Sequence, residues 1–153
     1  MRIYYSDTSA VVKLYVPEIG SAWITSEYQQ PDVLVIIGDI TTFEVPAAFK
    51  RAEREKRLSS IQRQQALTRF DVDCAQVFLM ETITPAVLAQ ARNLIERHPL
   101  RAYDAIQLAI ALKLYPSVMK LGGIPFTFVS ADDSLNQAAS SEGLIVDNPN
   151  SHS

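Results

Sequence analysis

The sequence contains very few of the residues that bind soft metal ions. Its single cysteine, Cys74, excludes an intrachain disulfide and a thiolate metal cluster. Its two histidines are also poorly placed for a zinc site, because His98 precedes a proline at a predicted helix end and His152 lies in a polar tail. Any metal site in this chain must therefore be built mainly from oxygen ligands.

Long apolar stretches and a glycine-rich loop are missing as well. The longest uninterrupted apolar runs, 33–37 and 108–112, are far too short to span a membrane. The N-terminus begins MRIYYSDTSA, without the charged and then apolar segments of a signal peptide. No glycine-rich phosphate loop of the Walker type occurs. We therefore expect a cytoplasmic protein.

The composition is that of a folded domain. The chain has 153 residues, of which 48% are hydrophobic and 20% are charged, so it can bury a substantial core. We predict one domain over residues 1–148. The last residues, 149–153, are polar and are expected to form a flexible tail.

Positive charge is concentrated in one part of an otherwise acidic protein. The net charge is −3, yet seven of the fourteen Lys and Arg residues lie within 50–69, where only Glu53 and Glu55 oppose them. This segment, with a local charge of +5, could follow a phosphate backbone. It could equally be a solvated helix face with pairs such as Lys50–Glu53 and Arg51–Glu55. Both interpretations stay open at this point.

Strand and helix patterns alternate along the whole chain. The run VLVII is continuously apolar and β-branched, as in a buried strand of a parallel sheet, whereas the segment that follows has a helical pattern with one charged face. Further strands are predicted at 2–6, 76–80, 126–130 and 144–147, with helices between them. This order predicts an α/β fold with a central, mostly parallel sheet of four to five strands flanked by helices.

Four acidic residues occupy comparable positions on these elements. Asp7 and Asp132 each follow a predicted strand, and Glu44 and Asp104 each lie in the first turn of a predicted helix. Because the carboxyl ends of parallel strands line the ligand crevice of such a sheet, we expect the four side chains to meet at one edge. Four carboxylates packed together repel one another and require a cation. Oxygen ligands favour Mg²⁺, with Mn²⁺ as a substitute.

Each acid also has a structural alternative. Asp7 and Asp132 could cap helices, and Glu44 could complete a capping box with Thr41. Asp104 could pair with Arg101 one turn earlier. No serine or cysteine nucleophile with a placed histidine is evident, so metal-activated water, acting in phosphodiester hydrolysis, is the chemistry that the acids favour if they bind metal.

Four segments resemble, in order and spacing, the acidic motifs of PIN domains, and above all the VapC-like toxins of prokaryotic toxin–antitoxin pairs. They are YYSDTSAVVKLYVPE, TTFEVPAAFKR, LRAYDAIQLAIAL and FVSADDSLNQAA. The resemblance covers residues 3–149 and implies a single PIN-like domain with Mg²⁺-dependent endoribonuclease activity.

The resemblance also implies roles for individual residues. It assigns metal binding and catalysis to Asp7, Glu44, Asp104 and Asp132. It places supporting or neighbouring side chains at Thr8, Ser9, Ser130, Asp133, Arg101 and Gln107, of which the last two could instead be an ion-pair partner and a filler of the helix. It further implies an RNA substrate, a cognate antitoxin protein and a homodimer, for which Trp23, Ile24 and Phe70 are candidate interface residues, although each is more often a core residue.

Two other functions fit the same residues. A housekeeping PIN-domain nuclease would process RNA without an antitoxin, and the sequence hardly separates it from a toxin. A non-catalytic metal-binding α/β module, such as a phosphoreceiver-like domain, would need an acidic pair after the first strand, where Asp7 is followed by Thr8. Pro46 adds a local expectation, because a proline two residues after Glu44 predicts that this helix begins late, at 43–45, or is distorted.

Overall fold

The computed structural model describes residues 1–152. Within them the chain forms five strands, and every adjacent pair is parallel. The strands are β1 (Arg2–Ser6), β2 (Val33–Gly38), β3 (Leu79–Glu81), β4 (Phe126–Val129) and β5 (Ile145–Asp147). The predicted α/β fold with a mostly parallel sheet is therefore confirmed, and the sheet is parallel throughout.

Seven α-helices connect and flank these strands. They are α1 (Thr8–Val12), α2 (Ser21–Tyr28), α3 (Thr41–Arg54), α4 (Ser60–Gln76), α5 (Pro85–Arg97), α6 (Ala102–Met119) and α7 (Asp133–Ser141). Local sequence explains several of their starts. The Ser59 hydroxyl accepts from the Gln62 amide and the Gln62 side chain bonds back to Ser59, which is a complete capping box for α4. Thr84 caps α5, whose first residue is a proline.

The strand order is β3-β2-β1-β4-β5, with β1 at the centre. The chain winds outward from β1 through β2 to β3 and then returns to place β4 on the other side of β1. The order therefore reverses between β1 and β4, and the loops after these two strands diverge. This is the position at which open α/β sheets form a crevice. Asp7 and Ser130 directly follow the two strands that border it.

Two apolar cores cover the two faces of the sheet. On one face, α5, α6 and α7 pack around Tyr5, Leu108 and Phe128. On the other, α1, α3 and α4 pack around Ile37 and Phe49, among others. The run AIQLAIAL is buried almost throughout, as its composition indicates. No helix within residues 1–152 combines the length and apolarity needed to cross a membrane.

The start of α3 differs from its prediction. The helix begins at Thr41, and Pro46 lies inside it rather than in its first turn. Proline removes only one backbone N–H, and the first turn is held instead by bonds from the amides of Phe43 and Glu44 to the carbonyl of Ile40. The helix therefore passes through Pro46 without a late start.

The C-terminal tail also differs from its prediction up to residue 152. Pro149–Ser151 form a 3₁₀ turn with Pro149 buried, and the imidazole of His152 stacks on the indole of Trp23 at 3.9 Å between ring centroids. The prediction of a flexible tail is therefore wrong for residues 149–152, and residue 153 lies outside the described part of the chain.

The three residues that were candidates for a dimer interface have positions within the monomer that explain them. Ile24 and Phe70 are core residues and Trp23 is partly buried.

Candidate metal centre

A cavity of about 430 Å³ opens at the crevice between β1 and β4. All four acids predicted from the sequence line it, together with side chains from α1, α3 and α6. The lining includes Asp7, Thr8, Ser9, Glu44, Arg51, Arg57, Arg101, Tyr103, Asp104, Gln107 and Asp132. A larger surface groove of about 700 Å³ is formed mainly by α4 residues, but no carboxylate from residues 1–152 lines it. The candidate metal centre is therefore the smaller, acidic cavity.

Asp7 is the most buried of the four acids, with 4% of its surface exposed. Its Oδ1 accepts from the Ser9 hydroxyl at 2.7 Å and from the Ala10 amide at 3.0 Å, and its Oδ2 accepts from the Ser130 hydroxyl at 2.7 Å. Burial raises the pKa of Asp7 to about 6, and these three hydrogen bonds oppose the increase because they favour the carboxylate. Asp104 adds a smaller electrostatic increase.

Ser9 and Ser130 connect Asp7 to the turn that follows β4. The hydroxyl of Ser9 accepts from the Ala131 amide at 2.9 Å, and that of Ser130 accepts from the Asp132 amide at 3.0 Å. Each hydroxyl therefore donates to Asp7 and accepts from the backbone of the loop after β4. This arrangement holds the loops after β1 and β4 in a set relation to each other. Both serines, which the resemblance placed beside the acids, therefore contact Asp7, and their support of a metal ligand stays a prediction.

Glu44 is held by side chains from two other helices. Its Oε1 accepts from the Thr8 hydroxyl at 2.9 Å and from the Gln107 amide nitrogen at 3.0 Å. The alternative of a capping box with Thr41 does not hold, because Ile40 is the N-cap residue and Thr41 is already helical, and the buried Thr41 hydroxyl accepts from Gln107 at 3.0 Å. Glu44 is therefore positioned by contacts with α1 and α6 rather than by its own helix end.

Gln107 has a larger part in the cavity than the sequence suggested. It is 2% exposed, and its carbonyl oxygen accepts from the buried Tyr5 hydroxyl at 2.7 Å while its amide nitrogen faces Glu44, Thr8 and Thr41. The available signal was one amide side chain within the apolar run AIQLAIAL, since a buried polar group needs partners. Gln107 is a positioning residue for Glu44.

Asp104 and Asp132 share one cation, the guanidinium of Arg101. Arg101 Nε donates to Asp104 Oδ2 at 3.1 Å, and Nη2 lies 3.5 Å from Asp132 Oδ2. Burial raises the pKa of Asp104, Arg101 lowers it, and the charge of Asp132 raises it slightly. Asp132 also caps α7, because its Oδ1 accepts from the Leu135 amide at 3.1 Å. Asp132 therefore caps a helix and both carboxylates pair with Arg101, yet both also line the cavity.

Asp133 and Ser130 are the predicted residues that do not line the cavity, but whereas Ser130 bonds to Asp7, the side chain of Asp133 bonds to none of the four acids. Asp133 is the first residue of α7, and its Oδ1 accepts from the Asn148 side chain at 2.9 Å. Asp132, the extended N-cap residue of α7, lines the cavity, whereas Asp133 does not. A supporting role for Asp133 at the centre therefore conflicts with its position, and its role as the helix-start residue agrees with it.

The oxygen atoms of the four acids suit a hard divalent cation, although they do not yet surround a single metal position. All four acids supply oxygen ligands, and Glu44 Oε2 and Asp104 Oδ1 accept no hydrogen bond from residues 1–152. Within the same residues, no three acid, histidine or cysteine side chains are already close enough to hold a metal ion. Ligation by the quartet stays a prediction that requires Arg101 to move and the side chains to adjust.

Comparisons with solved structures agree on the fold. FitAcB from Neisseria gonorrhoeae superposes with a TM-score of 0.65 at 16% identity, covering 95% of this chain and 97% of that one. VapBC2 from Rickettsia felis, bound to a promoter DNA fragment, gives 0.65 at 12% identity, with 95% and 98% covered. VapC20 from Mycobacterium tuberculosis, a sarcin-ricin loop cleaving toxin, gives 0.60 at 18% identity, with 93% and 96% covered.

At these identities the superpositions establish the architecture alone, and no curated protein matches the chain in sequence. The family follows from a different comparison. The model of the PIN domain matches residues 4–139, which include residues 4–6 of β1, the loop after β4 and all four acids of the cavity. On that match, the chain belongs to the PIN-domain family.

Proposed function

We propose that this protein is a Mg²⁺-dependent endoribonuclease, the toxin of a toxin–antitoxin pair, acting in the cytoplasm. The observation that carries the proposal is one cavity at the carboxyl ends of β1 and β4 that gathers all four PIN-type acids. In this proposal Asp7, Glu44, Asp104 and Asp132 bind the metal. Mn²⁺ would replace Mg²⁺, because both accept an oxygen-only ligand set.

The residues of the cavity would prepare the site for the metal and the substrate. When bound, the divalent ion would supply an activated water molecule and stabilise the leaving oxygen of the phosphodiester. Ser9 and Ser130 favour the charged form of Asp7, and Gln107 and Thr8 hold Glu44. Arg101 limits the repulsion between Asp104 and Asp132 until a metal ion takes over that charge.

The proposed partners follow from the structural neighbours. One neighbour is described as a toxin–antitoxin complex from Klebsiella pneumoniae, superposing with a TM-score of 0.55 at 19% identity, and VapC20 is described as a sarcin-ricin loop cleaving toxin. By analogy we propose an RNA substrate, a cognate antitoxin and a homodimer for this chain. A PIN nuclease without an antitoxin would share the cavity, so only an expression test separates the two functions.

The test of the chemistry is cleavage of total RNA by the purified protein in Mg²⁺ and in EDTA, with the cut ends mapped. Asp104→Asn and Asp132→Asn should each reduce the rate by at least about a hundredfold, since each removes a ligand charge from the centre. Asp133→Asn is the matched control, because Asp133 is adjacent in sequence but lies outside the cavity. Full activity of Asp104→Asn in Mg²⁺ would refute the proposed mechanism.

The test of the toxin role is growth after induced expression. The wild-type chain should arrest growth and Asp7→Asn should not. A short open reading frame that overlaps just upstream, where the genome has one, should restore growth when it is co-expressed. Arrest that persists with Asp7→Asn, or normal growth with a cleavage-competent wild type, would remove the toxin assignment. The second result would leave the nuclease assignment intact.

A further inference from the structure

Three arginines line the acidic cavity, and only one of them has no carboxylate partner within residues 1–152. Arg101 bonds to Asp104 and Asp132. Arg57 pairs with Glu55 at 2.9 Å and lies 3.8 Å from Glu18. Arg51 forms no ion pair or side-chain hydrogen bond with the described part of the chain, and it is exposed. Its charge is therefore available to a ligand.

The position of Arg51 relates it directly to the metal centre. Glu44, Ala48 and Arg51 follow one another at intervals of four and three residues, so they form one stripe along α3, and all three line the cavity. Arg51 lies about 10 Å from Glu44 along the helix axis. The small side chain of Ala48 leaves the surface between them open. A phosphate next to the one being cleaved could therefore reach the Arg51 guanidinium, which suits bidentate contact with phosphate oxygens.

An exposed aromatic ring lies on another side of the same cavity. Tyr103 precedes Asp104 in the first turn of α6, lines the cavity and is 61% exposed. Its ring has no aromatic partner among residues 1–152. Exposed rings near cationic side chains are surfaces on which proteins stack unpaired bases, and Arg51 supplies such a charge on the same cavity.

We propose that Arg51 and Tyr103 hold the substrate strand across the metal centre. Arg51 binds a phosphate adjacent to the cleaved one, and Tyr103 stacks on an unpaired base. The substrate class is therefore RNA in single-stranded or loop form, because bases within a duplex are already stacked and cannot cover the ring. This inference rests on the proposed nuclease function and names the substrate form and two of the residues that select it.

Binding can be measured apart from cleavage. We suggest fluorescence anisotropy with a short labelled single-stranded RNA, and with the same strand annealed to its complement. The full chain would carry Asp7→Asn, which the proposed function makes inactive. Arg51→Gln should weaken binding to the single strand about tenfold and flatten its salt dependence by about one phosphate contact. Tyr103→Leu should weaken it about tenfold without changing the salt slope. The duplex should bind more weakly than the single strand and be insensitive to Tyr103→Leu.

The chain offers a matched control for each variant. Arg54→Gln removes another exposed arginine of α3 that forms no ion pair within residues 1–152 but lies outside the cavity, so it should change affinity less than twofold. Tyr103→Phe keeps the ring and should retain wild-type affinity. In the active protein, Arg51→Gln and Tyr103→Leu should raise KM about tenfold and leave kcat nearly unchanged, with unaltered melting temperatures because both side chains are exposed.

The outcomes separate this inference from the function on which it rests. Equal affinities for Arg51→Gln and Arg54→Gln, or tight binding of duplex RNA, would overturn the inference even if cleavage depends on Asp104. A change in kcat or in Mg²⁺ affinity, with unchanged RNA binding, would show that Arg51 acts only on the acids and would overturn it too. Absence of RNA cleavage by the wild type would instead refute the proposed function.

Discussion

At the residue scale, Asp7 combines nearly complete burial with a negative charge. The pKa of an aspartate in an unfolded chain is about 3.9, and burial raises that of Asp7 to about 6. Between these pH values the folded protein keeps a proton that the unfolded chain has lost. The free energy of unfolding therefore falls as pH rises through this window. Near neutral pH and without metal, the buried carboxylate destabilises the fold.

Asp7→Asn should therefore stabilise the metal-free protein at about pH 7.5, by about 3 kcal/mol for a shift of about two pKa units. Asparagine can still cap α1, so the helix start is preserved. At about pH 4 the difference should vanish, because both folded forms are then neutral. Urea unfolding in EDTA at the two pH values measures this. If wild type and Asp7→Asn were equally stable at both pH values, the hydrogen bonds to Asp7 would already offset the cost of burying its charge.

Gln107 supports a second prediction at the same scale. Gln107→Leu leaves the buried Tyr5 hydroxyl without an acceptor and removes a donor from Glu44, so it should cost about 1–3 kcal/mol of unfolding free energy. Adding Tyr5→Phe removes the orphaned hydroxyl, and the double variant should regain about 1 kcal/mol. Chemical denaturation of the two single variants and the double variant forms the cycle. Strictly additive losses would show that the hydroxyl and the amide are not coupled.

At the scale of elements, boundaries with local chemical signals were predictable and those without were not. The starts of α4 and α5 follow from Ser59 and from Thr84 with Pro85. The end of α4, at Gln76, has no comparable signal. Packing of Phe70 in the core holds the last turns of the helix in place. Tertiary contacts of this kind do not change the hydrophobic periodicity of a short segment, so the sequence does not reveal them.

The interior proline of α3 allows a direct test of an element. Pro46 supplies no N–H to the carbonyl of Thr42, so Pro46→Ala should restore one helical hydrogen bond and stabilise the protein by about 1 kcal/mol, after the greater entropy of the unfolded alanine chain is deducted. Thermal unfolding measures the gain. Pro85→Ala is the control, because Pro85 occupies the first position of α5, where a missing N–H has little cost. If Pro85→Ala stabilised the protein as much as Pro46→Ala, the restored hydrogen bond would not explain the gain in stability.

At the scale of the whole molecule, alternation of strands and helices was enough to predict which acids share an edge. Parallel strands bring their carboxyl ends together, so Asp7 and the loop after β4 are neighbours in any such topology. Side-chain direction was not predictable in the same way. The exclusion of Asp133, the tether from Gln107 to Glu44 and the bridge from Arg101 to Asp132 each depend on how separate helices are rotated about their axes. Only the folded arrangement sets that rotation.

The C-terminal turn, residues 149–151, packs against the start of α2. A Cβ added to Gly20 would lie 2.5 Å from the Pro149 carbonyl oxygen, and Gly20 has a φ of +86°. Gly20→Ala therefore combines left-handed strain with a collision against the backbone. Gly143 also has a positive φ, +98°, but nothing lies within 4 Å of its added Cβ. Gly143→Ala thus measures the strain alone, about 1 kcal/mol.

We expect Gly20→Ala to lower the free energy of unfolding by at least about 1 kcal/mol more than Gly143→Ala, because the turn at Pro149 must be displaced. Removing residues 149–153 eliminates the obstacle. In that shortened chain, the two alanine variants should therefore cost about the same. Urea unfolding of the six proteins, full-length and shortened, gives the comparison. If Gly20→Ala remained the more harmful variant after truncation, the C-terminal turn would not be what constrains Gly20, and its packing on α2 would contribute little to the stability of the whole fold.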